Sequence, residues 1–132
     1  MNLDKTKIVR VDPFNFGSGL RDPGVYVQIQ CEGETGVRSR YLFGKKGEES
    51  LTLFDAIKQA LDLTDSRLLS FKFLHTTATV FDGKAVSMSF LGKAEAVIEY
   101  GEKQFTGYSL NQYDLYVALA EAFLNALLKA RS

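Results

Sequence analysis

A single histidine, His75, and a single cysteine, Cys31, limit the chemistry this sequence can perform. One histidine cannot form a paired-histidine metal motif, and no Ser/His/Asp or Cys/His set can be assembled around it. Beside Thr76 and Thr77, His75 reads as a structural or surface residue. Cys31 ends a strand-like run and reads as a small packed hydrophobe. It has no partner for an internal disulfide, which suits a reducing cytoplasm. Gly17 and Gly19 fit no phosphate-binding pattern, and no helix follows them, so residues 12–24 read as a plain loop. Phe14 and Phe16 are expected to pin that loop to the core. Lys45 and Lys46 read as a solvated loop, though next to a helix start they could meet an anion. Asp55 and Asp114 fall where carboxylates complement helix N-termini. No cofactor is called for, and an enzyme is not expected.

Composition narrows the partners. Sixteen basic and sixteen acidic residues cancel, and a neutral chain lacks the positive field that nucleic acid requires. No segment is apolar enough over sufficient length to span a membrane, and the opening residues MNLDKTKIVRV show no signal-peptide core. A hydrophobic content of 45% is enough to build one packed domain.

These residues must be held by a repeating set of elements. A short strand is expected over residues 7–11. Residues 25–31 alternate strictly, with Val25, Val27, Ile29 and Cys31 on one face, which marks a half-buried strand. Residues 32–36 turn the chain, and residues 37–43 return it with Arg38 and Arg40 on the wet face. A helix follows over residues 52–62, with Thr52 and Asp55 as a capping-box-like start. After a linker at 63–68, residues 69–80 read as a strand. Asp82-Gly83 reads as a tight turn into 85–91. Residues 94–100 and 104–108 form a hairpin around Gly101-Glu102, and a long helix closes the chain. The halves therefore repeat each other: two β-β-β-α units, an α+β fold with an antiparallel sheet and both helices on one face. The chain is expected to be one domain of two pseudo-repeats, about 7–63 and 69–132, the second lengthened around residues 80–90.

The last helix, residues 111–131, is expected to be capped by Asn111. Its polar positions Asp114, Glu121, Asn125 and Lys129 lie near one narrow stripe, and almost all the rest is apolar. Surface helices usually show one apolar face. The excess points to a second covering, and two-fold homodimers are the commonest assembly. Tyr116, Ala120, Phe123 and Leu127 are accordingly expected at, or directly supporting, a dimer contact, with Tyr113 packed against the partner.

The stretch GKAEAVIEYGEKQFTGYSLNQYDLYVALAEAFLNAL resembles the C-terminal regulatory domain of the 2-isopropylmalate synthase family, which includes citramalate synthases. Gly101, Gly107, Asp114, Ala118, Ala122, Asn125 and Ala126 carry the likeness, together with Asp55-Ala56-Ile57 and Ala60-Leu61 in the first half. The resemblance runs from about Val25 to the end. It implies a duplicated β-β-β-α fold, a dimer, and allosteric binding of a leucine- or isoleucine-like effector between the halves. The effector positions it implies are Gly44, Gly47, Asp55, Ala56, Gly92, Lys93, Ala94, Gly107 and Asp114. The family's metal-dependent barrel is absent here, so a barrel synthase becomes a possible partner. Gly44-Lys45-Lys46-Gly47-Glu48-Glu49-Ser50 replaces a Gly-x-Gly-Pro loop, and Lys93 stands where the family has aspartate. Those changes support an alternative: an assembly module of the same fold that has lost its effector.

Overall fold

The computed structural model describes residues 5–14, 22–74, 77–81, 85–89, 92–110, 112 and 114–132. His75, Asp82-Gly83, Asn111, Tyr113, Phe16, Gly17 and Gly19 lie outside that set. The elements run β1 (Lys7–Phe14), β2 (Gly24–Gln30), β3 (Val37–Phe43), α1 (Glu49–Ala60), β4 (Arg67–Phe73), β5 (Thr77–Phe81), β6 (Ala85–Ser89), β7 (Ala94–Tyr100), β8 (Lys103–Tyr108) and α2 (Leu115–Arg131).

The fold is α+β and duplicated. Strands β1-β2-β3 form one antiparallel sheet and β4-β7-β8 a second, so each half keeps its own three-stranded sheet and its own helix. The added piece in the second half is the β5–β6 hairpin, which among the described residues pairs only within itself and lies in sequence between the first and second strands of the repeat. The likeness reaches fine detail. The first strand of each half carries a register shift near its start, at Ile8/Arg10 in β1 and at Leu68/Ser70 in β4.

Alternation in β2 and β7 builds the core. Val25, Val27 and Ile29, and likewise Ala94, Ala96 and Ile98, are buried, while their neighbours turn outward. Between β7 and β8, Gly101 and Glu102 both have positive φ (59° and 67°). That is the two-residue turn whose twist matches a hairpin, and glycine eases its first position.

Helix α1 lies over β2 and β3. Helix α2 lies over β7 and β8, and also reaches β1 and α1. The expected second covering of the long helix therefore comes from its own chain. Phe123 sits edge-on between Phe54 of α1 (5.4 Å) and Phe71 of β4 (6.2 Å). Phe123, Ala120 and Leu127 are fully buried in the single chain, so they can support a dimer contact only from beneath. Only Tyr116 of that group retains partial exposure.

The polar stripe of α2 also has an internal use. Asn125 Nδ2 donates to the Tyr108 carbonyl and Lys129 Nζ to the Thr106 carbonyl, each at 2.6 Å. Glu121 accepts from Gln112 Nε2 at 3.0 Å. The stripe lies along the open edge of β8 and occupies carbonyls that would otherwise be available to another strand. Among the described residues no helix is long and apolar enough to cross a membrane.

Candidate functional site

Helix starts were the expected home of a ligand, and both differ from expectation. Helix α1 begins at Glu49, three residues before Thr52, with no side-chain cap. Thr52 is buried inside the helix, and its hydroxyl donates to the Glu48 carbonyl at 2.9 Å, a back-bond that threonine makes when it sits mid-helix. Asp55 is therefore in the second turn, 3.2 Å from Lys58. Helix α2 begins at Leu115, and Asp114 is itself the cap: its Oδ1 accepts from the Tyr116 amide at 2.8 Å and the Val117 amide at 3.2 Å. An aspartate at the N-cap satisfies amides that the helix leaves open.

Of the other effector positions, Gly44, Ala56, Ala94 and Gly107 are taken up by packing, while Gly47 and Lys93 are exposed. A side chain at Gly44 would collide with Thr52, and one at Gly107 would strike the backbone of Ala122 and Ala126. Each glycine lets a helix approach its sheet closely. Gly47, in the turn before α1, has φ 85°. Ala56 and Ala94 are fully buried. Gly92 exchanges backbone hydrogen bonds with Gln112 at 3.0 and 3.2 Å. Lys93 is exposed, and its carbonyl accepts from the Leu74 amide at 2.8 Å.

What the fold does bring together is Tyr116, Glu49 and Asp114. Burial raises the Tyr116 phenol above the ordinary tyrosine value, and the charges of Glu49 and Asp114 raise it further. The N-terminal ends of both helices are thus within electrostatic reach of one side chain.

The first sheet holds two features that sequence reasoning placed wrongly. The six-residue connection between Gln30 and Val37 sets Ile29 opposite Arg38, Val27 opposite Arg40 and Val25 opposite Leu42. Paired residues share a face, so Arg38 and Arg40 lie on the helix side of β3, where Arg38 is half-buried and Arg40 stays exposed. Arg38 is anchored there. Its guanidinium donates to Glu34 at 2.6 Å and to the Ala60 carbonyl, at the end of α1, at 2.8 Å, and Asp62 lies 3.9 Å away. An open depression of about 270 Å³ follows, lined by Arg38, Ser39, Arg40, Ala60 and Asp62.

The same register turns Tyr41 and Phe43 outward, 51% and 61% exposed. Phe14 joins them instead of pinning a loop to the core. It stacks on Tyr41 at 4.9 Å over the space left by Gly24, and Tyr41 meets Phe43 edge-on at 4.9 Å. Arg10, paired with Asp12, lies over Tyr26. The missed signal was turn length, which decides register in a hairpin whatever the strand's own pattern suggests.

Cys31 is buried. Among the described residues no group of three or more His, Cys, Asp or Glu side chains is placed to hold a metal ion. Comparison with protein-family models and with curated proteins finds no match to the chain.

Proposed function

We propose that this protein is a non-catalytic, cytoplasmic assembly module of the duplicated β-β-β-α kind, and that it joins a second copy of itself through the outer face of its first sheet. The observation that carries the reading is the outward turn of β3. Two large aromatic side chains are exposed beside Phe14, while two arginines face the helix. A strand that reverses the usual distribution of polar and apolar residues breaks a folding rule, and such breaks concentrate at functional surfaces. Exposed aromatic clusters are common at the centres of protein contacts. Of the effector positions, Gly44, Ala56, Ala94 and Gly107 are packed and Asp114 caps α2. A barrel synthase is the kind of larger partner suggested by the resemblance.

Sedimentation velocity tests this directly. The wild-type chain should be a dimer at micromolar concentration, and Tyr41→Ser with Phe43→Ser should convert it to a monomer with unchanged circular dichroism. A wild-type chain that stays monomeric at high micromolar concentration removes the reading.

A second reading, sensing of a leucine- or isoleucine-like effector, is favoured by the two helix N-termini near Tyr116. An amino-acid carboxylate could accept amide hydrogen bonds at the start of α1, which has no side-chain cap. Ligand binding to the native state alone raises the melting temperature. Absence of any thermal shift with millimolar branched-chain amino acids or their 2-oxo acids would end that reading.

A further inference from the structure

We propose that the open edge of β3 accepts an extended peptide segment as a fourth strand, with a carboxylate of that segment paired to Arg40. The backbone of β3 supplies the first argument. The Gly44 amide bonds to the Pro23 carbonyl at 3.0 Å. Antiparallel pairs alternate between bonded and non-bonded, so Leu42, Arg40 and Arg38 direct their amides and carbonyls to β2. Ser39 and Tyr41 direct theirs away from it. Among the described residues no side chain bonds the main chain of either.

The second half of the repeat is an internal control. There the Ser109 amide bonds to the Ala94 carbonyl at 3.0 Å, and the same alternation turns Thr106 and Tyr108 outward. Lys129 and Asn125 of α2 occupy those two carbonyls. Helix α2 is 17 residues long, whereas α1 has 12 and stops at Ala60, leaving the depression where such side chains would lie.

The outer edges of β1 and β4 are guarded as natural edges usually are. Strand β1 has a register shift and Pro13, and β4 has a register shift. The pairing of β3 with β2 is regular over all seven residues. Charge then selects the occupant. Self-pairing of β3 edges in the registers centred on Ser39 or Arg40 would set arginine against arginine of the second copy. Arg38 is already neutralised by Glu34. Arg40 is exposed and makes no ion pair among the described residues. A side chain directly across a strand pair lies about 5 Å away at Cβ, within reach of a carboxylate, and strand addition to a sheet edge is an established mode of peptide capture. The inference is independent of the proposed self-association, because Tyr41 and Phe43 project from the opposite face of β3.

The probe is a fluorescein-labelled nine-residue peptide of alternating threonine and valine with glutamate at its centre. Its counterparts carry lysine at the centre, or N-methyl groups on alternate amides. Fluorescence anisotropy should show binding of the glutamate peptide and about tenfold weaker binding of the lysine peptide, equivalent to about 1.4 kcal/mol. The N-methylated peptide should not bind, Arg40→Glu should invert the charge preference, and the Ser39 and Tyr41 amide resonances should shift. Equal binding of the two charged peptides, retained binding of the N-methylated one, or no binding of the glutamate peptide at millimolar concentration overturns the proposal. So does a Ser39→Pro variant that breaks a dimer while no peptide binds, which would assign the edge to a second copy. A chain found monomeric removes the proposed self-association but leaves this peptide result unaffected.

Discussion

Replacing Phe123 by alanine removes a ring that touches Phe54 on one helix and Phe71 on a strand of the second sheet. The loss should cost about 3–5 kcal/mol, read as a lower denaturant midpoint with little change in slope. Phe123→Asp should abolish the fold and leave no folded monomer, because the position has no solvent access and a buried unpaired charge is costly. Circular dichroism distinguishes the outcomes. Glu34 gives a pH signature at the same scale. The Arg38 hydrogen bond holds its carboxyl below the ordinary glutamate value. A depressed folded-state value contributes stability that is present above the unfolded value and is lost as pH falls through the folded one. Wild type should therefore exceed Glu34→Gln in urea midpoint at neutral pH, with the gap closing in acid. The effect should be small, since the pair is largely exposed.

The helices carry the next predictions. Asp114→Ala removes acceptors from two amides and should lower stability by about 1 kcal/mol, while Asp114→Asn should retain most of it. Gly107→Ala drives a methyl group into the backbone of α2 at Ala122 and Ala126. Backbone cannot rotate away as a side chain can, so the cost should reach about 1–3 kcal/mol or more. Chemical denaturation of both variants checks the order, with Gly107→Ala the more damaging. A Gly107→Ala protein of wild-type stability would show that α2 does not press on β8 as described.

At the scale of the whole molecule, α2 joins the halves. It packs on its own sheet, on β1 of the other half, and on α1. Neither half has an independent core, so unfolding should be a single transition with coincident fluorescence and circular dichroism curves. Two separable transitions would contradict the shared core. Much of this architecture is legible in the residues alone. Strict alternation in β2 and β7 can bury only one face, Gly101-Glu102 suits a tight hairpin, and a helical run without Gly or Pro favours a helix, so the duplicated β-β-β-α order follows from local pattern. Local pattern could not decide where α1 starts, because Thr52 can cap a helix or bond back within one. It could not decide which way β3 faces, because register is set by the six-residue turn before it. Nor could it show what covers α2: an apolar circumference reads the same whether a partner or the chain's other half fills it. Those three choices depend on contacts between residues far apart in sequence. They moved Phe123 and Ala120 into the core, turned Tyr41 and Phe43 to the surface, and left the β3 edge open beside Arg40.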